Sequence, residues 1–244
     1  MHPILFQLGF ITIYAYGFFV ALAFLVGVAL SMWVLSRRGL YSDKLWDLAL
    51  LIMILAIVGG RVFYVIEFFP QYLQNPLEML MVWRGGLVFF GGLVFALAGT
   101  LAFLMLHKMP LWKILDAIVP GTILGYGIGR LGCFFNGCCY GCETNLSWAV
   151  HFPGTLGLRH PTQLYATGFA LLAAGFFLWF LQRKKYDGQV FALGLLYYGG
   201  YRFLIEFLRV NPRYLLGLSE AQLIAMIIFA AALVLLFLLP RRNR

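Results

Sequence analysis

The stretch Gly127–Cys142 reads GIGRLGCFFNGCCYGC and closes an apolar run that opens near Leu115. It holds one arginine, one asparagine, five glycines and all four cysteines of the chain. A charged side chain at the centre of a membrane helix costs about 2.5–3.5 kcal/mol on insertion scales, so an arginine there needs a partner or a task. Arg130 therefore marks a membrane helix that delivers a polar pocket, and the rest of the chain is organised around that pocket.

Working outward, the 244 residues are 63% hydrophobic and 11% charged, with a mean hydropathy of +0.90. Soluble domains do not have this composition. At about 20 apolar residues per span, seven membrane helices fit. Seven apolar runs are visible, roughly 11–36, 45–68, 87–107, 115–135, 167–182, 189–208 and 221–240. The first is too long for the apolar core of a cleavable leader and lacks a basic segment before it. The expected fold is all-α: one polytopic membrane domain over residues 1–244, with a small extracytoplasmic or interfacial insertion at about 136–166.

The net charge of +9 does not point to nucleic acid, because the basic residues sit in short clusters between apolar runs. Loops after the first, third and fifth runs, together with the C-terminal tail, carry eleven of the eighteen Lys and Arg residues, from Arg37 to Arg244. The opposite loops carry four, Arg84, Arg159, Arg209 and Arg213. Basic loops stay in the cytoplasm, so the N-terminus is expected outside and the C-terminus inside.

Three further arginines, Arg61, Arg130 and Arg202, lie inside runs, each in the outward-facing part of its helix. Arg202 and Glu206 are four residues apart and share a helix face, so they can pair. Arg61 and Glu67 are six apart and cannot pair in that way. Arginines at one membrane depth suit an anion, and a lipid phosphate is the anion found there; guanidinium binds it through two parallel donors. Glycine pairs at 59–60, 85–86, 91–92 and 199–200 allow close helix packing or free backbone N–H groups to face a ligand.

Cys133, Cys138, Cys139 and Cys142 are spaced C-x4-C, an adjacent pair, then C-x2-C. That matches neither two separated zinc knuckles nor the C-x4-C-x2-C of an iron–sulfur site. No metal and no cofactor are expected. Adjacent cysteines bridge poorly. Small packing residues beside a pocket are the leading reading, and a thiol nucleophile stays open beside it.

These motifs together resemble the prolipoprotein diacylglyceryl transferase family of bacterial inner membranes. Gly129–Gly141 follows the pattern G-R-x-G-N-F-x-N-x-E-x-x-G at Arg130, Gly132, Phe134, Asn136 and Gly141. Ala15-Tyr16-Gly17 is similar to W-Y-G, Gly59-Gly60-Arg61 to G-[AG]-R, and Trp83–Gly92 to a G-G…G-G stretch. His160–Tyr165 (HPTQLY) is similar to H-P-S-Q-L-Y, and Arg202–Arg209 (RFLIEFLR) to R-x-x-x-E-x-x-R. The resemblance implies transfer of the diacylglyceryl group of phosphatidylglycerol to the lipobox cysteine thiol of a preprolipoprotein signal peptide, at the inner membrane. It implies catalytic roles for Arg130, Arg202 and Glu206, and substrate contacts for Tyr16, Arg61, Arg130, Asn136, Gly141 and His160.

The sequence also departs from that family. Cys133 stands at an asparagine, Cys138 at the glutamate, Phe90 at a histidine of F-H-G-G, and Ala166 at a second glutamate. His151 and His160 are the remaining outer histidines, and His160 reads equally well as a loop anchor. Two alternatives accompany the transferase reading: a divergent enzyme using another thiol or phospholipid, and a lipid-binding or lipid-transporting protein without chemistry. A redox or metal role for the cysteines ranks last.

Overall fold

The computed structural model describes residues 3–8, 11–214 and 217–242. Among the described residues, seven long helices account for the seven apolar runs: α1 Ala15–Arg37, α2 Lys44–Glu67, α4 Phe89–Leu106, α5 Leu111–Phe135, α6 Thr162–Phe180, α7 Gln189–Ile205 and α8 Glu220–Arg242. A four-residue helix, α3 (Phe69–Tyr72), follows α2. By length and composition α1, α2, α5, α6 and α8 can each cross a bilayer. The apolar part of α4 is shorter, and α7 has 17 residues. The chain is a multi-pass membrane protein.

The helices are not the whole of it. Strands β1 (Ile4–Leu8) and β2 (Ile11–Tyr14) form an antiparallel hairpin ahead of α1, with Phe6 opposite Ile13 and Gln7 opposite Thr12. The first apolar run thus splits, and its opening residues Ile11–Tyr14 are strand. Their Ile-Thr-Ile-Tyr sequence is β-branched and aromatic, and that favours a pleated strand.

Two compact units make up the chain, residues 38–114 and residues 1–37 with 115–244. In the first, α2 and α4 pack along a seam of glycines. A methyl group on Gly59 would stand 2.5 Å from the Gly91 carbonyl oxygen and 2.6 Å from Phe95 Cβ. One on Gly92 would stand 2.6 Å from the Ala56 oxygen. Apolar lipid gives helices no hydrophobic reason to associate, so close backbone approach supplies the van der Waals contact instead.

The second unit repeats the device between α1 and α5. Gly27 faces Gly121, whose carbonyl would lie 3.0 Å from an added methyl, and Gly125 faces the Ala23 carbonyl at 2.9 Å. Gly132 faces Phe19 and the backbone of Tyr16. Gly127 packs on Ala170 of α6, and Gly199 of α7 packs on Ala225 and Phe229 of α8.

The start of α7 is held by Asp116 of α5, which is fully buried. Its carboxylate accepts from Gly188 N–H and Phe191 N–H, both at 2.8 Å, and from Lys184 Nζ at 2.7 Å. Free N–H groups at a helix start need such acceptors. A carboxylate there also meets the positive end of the helix dipole. Asp116 thereby fixes the helix that carries Arg202.

The segment between α5 and α6 is an irregular insertion, not a helix. Isolated bridges join Gly141 to Arg209, Glu143 to Arg159 and Val150 to Arg159. Phe152, from the WAVHFPG motif, is fully buried with its ring 5.0 Å from Tyr140 and 6.0 Å from Phe134.

Candidate active site

The end of α5, the start of α6 and the end of α7 meet at one partly open cleft. Arg130 and Tyr126 enter from α5, Thr162, Gln163 and Ala166 from the first turns of α6, and Tyr201, Arg202 and Ile205 from α7. Cys139 and Arg209 complete the wall. Three of these residues are arginines.

Each arginine is oriented differently. The Arg130 guanidinium lies 4.9 Å from the centre of the Tyr126 ring, whose face supports the cation. Arg202 Nη1 pairs with Glu206 Oε2 at 3.1 Å, the one-turn pairing expected from their spacing. Glu206 is buried, and its other oxygen accepts from Ser219 Oγ at 3.0 Å and from the Asn211 amide. Arg209 is placed by the bridge to Gly141 and by its N–H to the Glu206 carbonyl. Its Nε is buried with no hydrogen-bond partner among the described residues, and the same holds for Gln163 Oε1.

Three guanidinium groups and one carboxylate leave the cleft with a net positive charge. The N-terminus of the 19-residue α6 adds its partial positive charge. The charge of this cleft suits an anion with several oxygens.

The cysteine loop forms one side of it. Gln163 Nε2 donates to the Cys138 carbonyl at 2.6 Å, and Thr162 Oγ1 to the Cys139 carbonyl at 2.7 Å. Gly137 and Cys139 both have left-handed backbone, φ 73° and 66°. The turn folds Cys138 and Cys139 back on α5, so their Sγ atoms and that of Cys133 lie within 4.8 Å of one another. The C-x4-C spacing discounts a cluster only if the intervening chain runs on; here it reverses. Hydrogen bonds from the Cys133 and Cys138 thiols hold Cys139 below the ordinary thiol range, with Arg209 and Arg130 adding to the effect. On Cys138 the bond to Cys133 lowers the pKa, but the bond to Cys139, burial and charge outweigh it and hold that thiol above the usual range.

The remaining expected site residues sit outside the cleft lining. Tyr16 is half exposed at the start of α1, within electrostatic reach of the three clustered thiols and Arg130. The Asn136 side chain bonds Cys138 at the end of α5. Gly141 is a close-approach residue: a methyl there would stand 2.5 Å from the Leu208 carbonyl and 2.7 Å from His160 Cβ. His160 Nδ1 is 3.2 Å from the Tyr165 hydroxyl, which also accepts from Trp148 Nε1 at 2.8 Å. The loop-anchor reading of His160 fits this arrangement.

Arg61 belongs to the unit of residues 38–114. It is buried there, and its guanidinium donates to four backbone carbonyls. Nε reaches Met79 at 2.9 Å, Nη1 reaches Gly85 at 2.7 Å and Gly86 at 3.2 Å, and Nη2 reaches Glu78. Tyr64 and Tyr72 lie 5.6 and 5.5 Å from it as ring partners. These bonds make it the organiser of the connection from α2 to α4.

Comparison with known proteins decides the family. The model of the prolipoprotein diacylglyceryl transferase family matches residues 3–238. The chain belongs to this family. It is 36% identical to the phosphatidylglycerol–prolipoprotein diacylglyceryl transferase of Clostridium tetani (strain Massachusetts / E88), over 87% of each chain. It is 36% identical to the enzyme so named in Bordetella avium (strain 197N), over 99% of this chain and 96% of that one. The corresponding protein of Synechocystis sp. (strain ATCC 27184 / PCC 6803 / Kazusa) is 32% identical over 98% and 90%. The transferase family therefore covers the cleft and every element that builds it.

Several cleft residues carry no role in the sequence reading, among them Tyr126, Thr162, Gln163 and Arg209. A signal exists for Arg209, which closes the R-x-x-x-E-x-x-R pattern, although α7 ends at Ile205 and Arg209 itself is extended. Thr162 and Gln163 stand in the HPTQLY motif, but only the fold shows them closing the cysteine loop.

Proposed function

We propose that this transferase moves the diacylglyceryl group of phosphatidylglycerol to the lipobox cysteine thiol of a preprolipoprotein at the bacterial inner membrane. Seven spans are proposed, with the N-terminus outside and the cleft toward the outer face. The thiol sulfur bonds to the glycerol carbon of the lipid as that carbon's bond to the phosphate oxygen breaks. Glycerol phosphate leaves with the bonding pair, and the thiol proton is released. A free cysteine has a pKa of about 8.5, so its thiolate must be favoured in the site. A field of arginines does so, and it also stabilises the charge that grows on the departing phosphate.

One observation carries this reading: Arg130, Arg202 and Arg209 share one cleft at the N-terminus of α6. Their guanidinium groups and the positive end of the helix dipole match a phosphate diester turning into a monoester dianion. Glu206 keeps Arg202 in register rather than neutralising the cleft. The deciding experiment supplies purified protein with phosphatidylglycerol vesicles and a lipobox peptide. Mass spectrometry should find the peptide heavier by one diacylglyceryl group, with glycerol phosphate released in equal amount. Peptide left unmodified by folded, monodisperse protein that also fails to restore lipoprotein lipidation in transferase-depleted cells would overturn the proposal.

A further inference from the structure

The thiol cluster is not used by the transfer reaction, whose nucleophile belongs to the substrate. The three Sγ atoms of Cys133, Cys138 and Cys139 lie within 4.8 Å of one another, so a point exists within roughly 2.8 Å of all three; shifts of about 0.5 Å would give metal–sulfur bonds near 2.3 Å. We propose that Cys133, Cys138 and Cys139 form a three-coordinate binding site for a soft, thiophilic d10 cation. Thiolates select such ions over hard ones.

Two features distinguish this cluster from a chance grouping. The first is the backbone that makes it. Left-handed φ at a residue with a Cβ is strained and persists only where the surroundings impose it. Cys139 is so held, at φ 66°, by the bond from Thr162 to its carbonyl, with Gln163 fixing Cys138 beside it. The second is charge. A divalent ion bound by three thiolates carries one net negative charge, and a monovalent ion carries two. Arg130 and Arg209 act on Cys139 and supply the compensating positive charges. Binding is a simple exchange: the protons still held by the three thiols leave as three metal–sulfur bonds form, with no change of oxidation state. Cys142 lies outside the trio.

Cadmium(II) alone, added to reduced full-length protein in lipid nanodiscs, tests this. One equivalent per chain should bind and produce a thiolate-to-metal charge-transfer band in the ultraviolet. Cys142→Ala should keep that band. Cys133→Ser, Cys138→Ser and Cys139→Ser should each weaken binding by about 100-fold, the upper end of what loss of an outer partner costs a metal site. Because a serine variant can misfold, the wild type supplies a second measurement. Cadmium should protect the trio, and not Cys142, from alkylation mapped by mass spectrometry. Absence of the band in reduced wild type, or equal protection of Cys142, overturns the site. Neither measurement uses lipid transfer, so the proposed reaction can fail while this site stands.

Discussion

At the scale of single residues, the cleft depends on how its cations are aimed. Arg130 lies beside Tyr126 in the cleft wall, and a charge-assisted hydrogen bond from it to a ligand contributes about 1.5–3 kcal/mol. Arg130→Ala should therefore lower kcat/KM for diacylglyceryl transfer by at least about tenfold. Arg130→Lys should recover little, because a point charge replaces a planar fork. Unchanged kinetics in Arg130→Ala at normal expression would remove the arginine from the mechanism. Glu206 acts one step away, through Arg202. Glu206→Gln keeps an acceptor for Ser219 and should cost less than Arg202→Ala. The pair should show a coupling of about 0.5–3 kcal/mol in a double-mutant cycle, and additive losses would mean two independent residues. Among the thiols, Cys139 sits below the ordinary range and Cys138 above it. The thiolate is the nucleophile. Iodoacetamide at neutral pH should thus modify Cys139 before Cys138, and Arg209→Gln should narrow the difference. Preferential labelling of Cys138 would contradict the assignment.

At the scale of helices, the seams between glycine faces place everything else. Gly59 leaves no room for a methyl group against Gly91 and Phe95, whereas a methyl on Gly175 of α6 would meet no neighbouring atom within 4 Å. Gly59→Ala should cost about 1–3 kcal/mol by overpacking. Gly175→Ala should fall within about 0.5 kcal/mol of wild type, as a surface change does. Thermal unfolding in one detergent compares the two directly, and equal shifts would show that the α2–α4 seam is not tight. Asp116 is the second control point. Its two carboxylate oxygens accept from Gly188, Phe191 and Lys184, so one buried charge fixes where α7 begins. Asp116→Ala leaves Lys184 with Asp187 alone and strips the α7 N–H groups of their acceptor. Breaking a buried pair from one side costs about 3–5 kcal/mol. The loss should appear both as a lower unfolding temperature and as weaker lipid transfer, since α7 carries Arg202 to the cleft.

At the scale of the whole molecule, the helices and their polar exceptions are legible in the sequence because both are composition signals. Apolar runs mark seven helices, and intramembrane arginines are costly enough to single out Arg130 and Arg202. What stays hidden depends on chain reversal or on partners distant in sequence. The cysteine trio needs the left-handed turn at Gly137 and Cys139, and spacing alone cannot report a reversal. The roles of Gln163 and Thr162 depend on carbonyls 25 and 23 residues away. The N-terminal hairpin is hidden because Ile11–Tyr14 is as apolar as the helix it precedes. Orientation follows from charge alone and makes a separate prediction. Eleven basic residues flank one set of loop ends and four the other, a bias that predicts the first set in the cytoplasm. A reporter that fluoresces only when it folds in the cytoplasm should be bright when fused after Gly39, Met109 or Lys185. It should be dark when fused after Gln74, Thr155 or Arg213. The dark positions include the insertion beside the cleft, so the same experiment reads the side from which a secreted thiol must approach. Bright fusion at Thr155 would invert α5 and α6 and put the cleft on the cytoplasmic face, where a lipobox cysteine would have to be modified before export.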